Sequence, residues 1–177
     1  MRTDLIPAAA WFLLLTLAIS PVRAEARQLS PSPSTRGISI AGEEELHREV
    51  VRLTGSTTGF GRAGKLLLRC ADSRPATDLH GIDDRFRAAI LLYHARNKAQ
   101  AQSAFERAAV DALANGLVAL AADAFIKAGI TAIERGKNAE AVAILGKARR
   151  LSNSPHLTLA ERTTITKWFV TPVVGER

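Results

Sequence analysis

One cysteine, one tyrosine and two tryptophans in 177 residues leave this chain few of the devices that hold small proteins together. The lone Cys70 cannot close an intramolecular disulfide, so stability must come from packing even in an oxidising compartment. Aromatic residues make up 5% of the chain, which leaves few large anchors and favours helices packed through Ala and Leu. The four histidines, His47, His80, His94 and His156, are far apart and lack the ligand spacing of a zinc site. No serine sits in a G-x-S-x-G elbow, and no histidine is flanked by a recognisable base or metal partner. Neither a metal nor a cofactor is expected, and neither is a catalytic residue. No stretch alternates apolar and polar residues as a half-buried strand would. The remaining expectation is all-α.

What is present is a globular composition of one-domain length, with 47% hydrophobic and 23% charged residues and a net charge of +7. The N-terminus reads as a targeting segment. Arg2 gives a positive start, weakened by Asp4, and Ala8 to Ile19 is an uncharged apolar run of signal-peptide length. Ser20 and Pro21 break the run, and Val22-Arg23-Ala24 places small residues where a signal peptidase reads. A signal peptide over 1–24 is therefore expected, with an uncleaved anchor as the alternative. No Arg-Arg pair precedes the run and no Cys follows it, which leaves twin-arginine and lipoprotein routes without support. Cleavage removes Arg2, Arg23 and Asp4 and leaves a charge of +6. The predicted location is exported, periplasmic or secreted, with no membrane span after cleavage. Such a protein is not expected to meet nucleic acid. Its charge suits solubility, or an anionic envelope surface.

Residues 25–41 read as a flexible linker, rich in Ser, Pro and Thr with Pro31 and Pro33. A helical domain is expected over 42–172. Its short helices run from Glu43 to Leu53, opened by acidic residues, and from about Arg62 to Ala71. Four clearer segments follow. Asp83 can cap a helix to Arg96 with Ile82, Phe86, Ala89, Ile90 and Tyr93 on one stripe. Ala99 to Ala114 stops at Asn115-Gly116, and the very apolar Leu117 to Arg135 stops at Gly136. Asn138 can cap a helix to about Leu151. Thr158-x-x-Glu161 is a capping-box pattern that opens a last helix carrying Ile165, Trp168 and Phe169.

Three segments share a small-large-small spacing: Ala63-x3-Leu67-x2-Cys70, Ala101-x3-Phe105-x2-Ala108 and Ala141-x3-Leu145-x2-Ala148. They lie 38 and 40 residues apart, and each puts its three side chains on one helical face. That period predicts stacked helical hairpins. Phe125-x2-Ala128-Gly129-x2-Ala132, Gly136, and Ala141-x3-Leu145-x2-Ala148 together resemble one tetratricopeptide repeat. The match extends in weaker form over roughly 82–155. The whole layout is similar to small uncharacterised exported bacterial repeat proteins.

The resemblance implies about three antiparallel hairpins with a C-terminal closing helix, acting as a non-enzymatic binding scaffold for a protein or peptide. It also implies that the first helix of each pair lines a groove. In this register the groove set is Asp83, Phe86, Ile90, Tyr93 and His94 from one helix. Asp123, Ile126, Ile130, Ile133 and Glu134 come from the next. The same positions would also suit a core covered by the N-terminal helix or by Trp168 and Phe169.

One motif points elsewhere. Gly59-Phe60-Gly61-Arg62-Ala63-Gly64 spells G-x-G-x-x-G, and Gly59 to Lys65 spells the start of a Walker A loop. A nucleotide- or phosphate-binding enzyme would use such a loop. Against it, Leu66 replaces the magnesium-binding Ser or Thr, and no buried parallel strand precedes the motif. A Gly-rich turn between paired helices is the expected role. A basic structural protein adhering to an anionic envelope surface is the other alternative.

Overall fold

In the computed structural model the described residues are 40–170, with side chains from 42 to 169. The expected signal segment and most of the linker lie outside them. Seven α-helices follow one another: α1 Ile40–Thr54, α2 Phe60–Asp72, α3 Leu79–His94, α4 Lys98–Ala114, α5 Val118–Glu134, α6 Asn138–Leu151 and α7 Leu159–Val170. A 3-10 turn at Thr57–Gly59 joins the first two, and there is no strand among the described residues. Each helix packs against its neighbours in the chain, and α7 lies against both α5 and α6. The result is an all-α array of hairpins, α1/α2, α3/α4 and α5/α6, closed by α7.

Three of the connections are copies of one turn. Arg96, Gly116 and Gly136, each twenty residues from the next, are left-handed at φ 63°, 75° and 73°. The N–H after each reaches back to the preceding helix: Asn97 to Leu92, Leu117 to Ala112 and Lys137 to Ala132, all at 2.9 Å. This is the Schellman closure, which satisfies carbonyls that the helix end would leave bare. The next helix starts two residues after the left-handed one whatever the side chain there.

Five residues past each turn the small-large-small face begins. It holds Ala101, Phe105 and Ala108 in α4, and Ala121, Phe125 and Ala128 in α5. In α6 it holds Ala141, Leu145 and Ala148. All six alanines are at most 2% exposed. The structural unit is thus one helix and one turn of twenty residues. The spacing read in the second helix of each hairpin also governs α5. Small residues let the backbones approach closely and the large side chain fills the space between them. At Gly129 the approach is so close that a Cβ would stand 2.6 Å from Leu145 Cγ.

One unit earlier, in α3, the pattern reads Gly81, Arg85 and Ala88, with a guanidinium in place of the large apolar side chain. Arg85 is 4% exposed and donates to Asp111 of α4 at 2.5 Å. It also donates to the Ala71 carbonyl at 3.1 Å and to Asp72 at 3.0 Å. A second cation continues the seam toward the N-terminus. Arg74 binds Glu43 of α1 and Asp84 of α3, and His47 stands 3.4 Å from Asp84.

The helix starts require two corrections. Asp83 does not cap α3. Asp78 does, accepting from the His80 and Gly81 N–H groups at 2.8 and 3.3 Å. Gly81 and Ile82 must lie inside the helix to be buried against the hairpin, and Asp83 instead pairs with Arg87 at 2.8 Å. Asn138 is the first helical residue of α6, not its cap, because the turn at Gly136 already fixes the start and Lys137 makes no side-chain cap. The capping box at Thr158 is present: Thr158 N–H donates to Glu161 at 2.8 Å, and Glu161 N–H donates back to Thr158 Oγ1 at 3.2 Å.

The copied turn yields a test at its one non-glycine copy. The left-handed conformation costs an L-residue about 1–2 kcal/mol that glycine avoids. Arg96→Gly should therefore raise the urea midpoint, by about 1 kcal/mol in stability, and Gly116→Ala should lower it by a similar amount. Equal midpoints for all three proteins would mean that these turns do not govern the helix ends.

Candidate partner-binding groove

The helices α3 and α5 are the first members of successive hairpins, so they run side by side in the same direction. Two polar contacts bridge them, both between residues 41 apart. Tyr93 Oη donates to Glu134 Oε1 at 2.6 Å. Lys127 Nζ lies 5.5 Å from the Phe86 ring centroid, a cation over an aromatic face, and pairs with Asp123 one turn back at 2.5 Å. Lys98, at the start of α4, reaches the other Glu134 carboxylate oxygen at 3.1 Å. Each carboxylate facing the seam is thus matched by a cation.

The ten expected groove residues divide by exposure. Phe86, Tyr93 and Ile126 are buried. Asp83, Ile90, His94, Asp123, Ile130 and Glu134 are half-buried, and Ile133 is 47% exposed. The positions open to another molecule are therefore chiefly Ile90, Ile130 and Ile133. They are flanked by the Phe86–Lys127–Asp123 contact on one side and Tyr93–Glu134–Lys98 on the other. Lys127 and Lys98 belong to this seam, and reading the sequence missed both. The Asp123–Lys127 spacing of four residues was the one available signal for Lys127.

The titratable groups here are shifted chiefly by burial. Burial pushes the Tyr93 phenol up, and its hydrogen bond to Glu134 pushes it further. It stays a neutral donor. His94 packs edge-on against Phe60 and Tyr93, with ring centroids 6.1 and 5.7 Å away, and burial holds it below the usual imidazole range. Away from the groove, Cys70 is 1% exposed, and burial followed by the nearby Asp84 charge pushes its thiol up. That thiol is a core side chain rather than a nucleophile. Among the described residues, no three His, Cys, Asp or Glu side chains converge as metal ligands.

The glycine motif is spent on packing. Gly59 closes the 3-10 turn, where a Cβ would stand 2.0 Å from the Leu53 carbonyl oxygen. Gly64 faces Leu92 of α3, with 2.8 Å between the added Cβ and Cγ. From Phe60 onward the segment is helix α2. Gly59 and Gly64 stand where α1 and α3 come too close for a side chain, whereas a Cβ at Gly61 would make only ordinary contact with Ala95. The chain matches no protein-family model, and no characterised protein or solved structure is detectably similar to it.

The depressed His94 pKa sets the sign of a pH effect. With the folded value below the unfolded one, its contribution is complete above about 6.5 and is lost as pH falls from there toward the folded value. Wild-type stability should drop more between pH 7.5 and pH 5.5 than that of His94→Gln, compared by urea denaturation. An identical drop in both proteins would assign the pH dependence elsewhere.

Proposed function

We propose that this array is a non-enzymatic protein-interaction module whose recognition surface is the seam between α3 and α5. The observation that carries the reading is the run of accessible isoleucines, Ile90, Ile130 and Ile133, held between two ion-paired cross-helix contacts. Apolar side chains spaced along two parallel helices, with charges already neutralised at both margins, suit an apolar helix or extended peptide rather than a charged tail. The tetratricopeptide-like spacing supports the same assignment, since hairpin arrays offer long rigid surfaces. The targeting features of residues 1–24 support a place of action in the envelope or outside the cell.

The test uses a photo-crosslinking amino acid at position 133 of the full chain, in an extract of the organism's own envelope. A defined crosslinked partner is expected. Ile130→Asp should weaken its binding by at least about tenfold, as truncation at an interface centre does. The far-ultraviolet circular dichroism of Ile130→Asp should match wild type. If Ile130→Asp unfolds the chain, these isoleucines are core and the groove assignment fails. If the variant folds and crosslinks as well as wild type, the partner binds elsewhere.

A further inference from the structure

Most cations packed into the array are matched. Arg74, Arg85, Arg87, Lys98 and Lys127 all pair with carboxylates. Exposed cations such as Arg107, Arg149 and Arg150 are not, and the outer face of α2 carries three of that kind. Arg62, Lys65 and Arg69 are all exposed, and none of the three forms an ion pair with a described residue. Their spacing of three and four residues places them on one side of the helix, within about 10 Å along its axis. The two carboxylates nearby are already engaged. Glu49, whose charge interacts with Arg62, is held by Arg52 at 2.6 Å, and Asp72 by Arg85 at 3.0 Å. The three cations and the half-buried Leu66 line a shallow hollow of about 280 Å³.

We infer that this face docks on anionic phospholipid headgroups. This inference does not depend on the α3–α5 groove. The hollow has cationic groups at its rim and carbon beneath them, from the Arg and Lys stems and Leu66. The phosphates at an anionic bilayer surface carry the complementary charge to those rim groups. Three cations within about 10 Å match one or two headgroups, whereas duplex nucleic acid is held by about six to ten phosphate contacts. Only Arg and Lys supply polar groups to the hollow, so it has no acceptor with which to fix the register of an acidic peptide.

The test is co-sedimentation of the full chain with vesicles of phosphatidylcholine alone or with 30% phosphatidylglycerol. The readout is the ratio of binding to the two, so affinity from the apolar run at 8–19 cancels. Each cation near an anionic surface is worth about fivefold in partitioning, so R62Q/K65Q/R69Q should reduce the ratio by about 100-fold. Arg149→Gln with Arg150→Gln, two exposed cations on α6, should leave it near the wild-type value. All substitutions are at exposed positions, and circular dichroism checks that each protein is folded. Three results would overturn the inference: equal wild-type binding to both vesicles, a ratio unchanged in the triple variant, or an equal loss in the α6 variant. The fourth uses free phosphate. If it displaces the protein more strongly than chloride at matched ionic strength, the hollow is a site for a soluble anion and not a lipid-docking face.

Discussion

Close approach of helices through small residues is the constraint on which the rest of this structure depends. With 5% aromatic residues the chain cannot fill wide gaps between helices, so the helices must come together until Ala meets Ala. One large side chain per helix then fills each seam, Phe105 and Phe125 at 0% and 3% exposure. The twenty-residue spacing of the turns keeps each face in register with the next, because a Schellman closure fixes where one helix stops and the following one starts. The same closeness accounts for the glycines. Gly59, Gly64 and Gly129 sit where a neighbour's atoms already occupy the place of a Cβ. A phosphate-loop spelling thus arises from packing needs.

The register breaks at α3, and polar chemistry takes over there. Arg85 occupies the position that Phe105 and Phe125 fill in later units, and it is buried only because Asp111, Asp72 and the Ala71 carbonyl receive its donors. A desolvated ion pair of this kind adds little net stability, but losing one partner is costly, about 3–5 kcal/mol. Its effect is geometric. The guanidinium joins α3 to α4 and to the end of α2, and Arg74 with Asp84 and Glu43 extends that tie to α1. The first hairpin is thereby tied by directed hydrogen bonds in addition to the packing of Val50 and Leu53 with Ala63 and Leu67. The α3–α5 seam has matched charges at its margins and isoleucines between them.

The parts of this fold that repeat were legible in the sequence. The Ala-x3-Phe-x2-Ala spacing gave the helical faces, Gly116 and Gly136 marked the turns, and Thr158-x-x-Glu161 marked the start of α7. What depended on tertiary context was not legible. Arg96 adopts the left-handed turn without being glycine, so the third copy of the turn was hidden. Asp83 looked like a cap because it is acidic and stands near the start of the apolar stripe, but burial of Gly81 and Ile82 drew the helix start back to Asp78. Among the expected groove residues, helical periodicity grouped the buried Phe86, Tyr93 and Ile126 with Ile130 and Ile133. It could not separate the side chains sealed by Lys127 and Glu134 from Ile130 and Ile133 beside them. A lysine buried over a phenyl ring leaves no trace in a hydropathy pattern.

An array held by neighbour-to-neighbour seams should not open as one unit. Helices with a full seam on both sides should open last, and helices at the ends first. In α7, Leu159 is 82% exposed, and Ile165 is the one buried residue among the described side chains of the helix. Native-state hydrogen exchange of the full chain, resolved by helix, reads this directly. The slowest amides should lie in α4 and α5, with exchange quickening outward through α6 to α7 and toward α1. Equal protection from α1 to α7, or an α7 that exchanges as slowly as α5, would contradict this order.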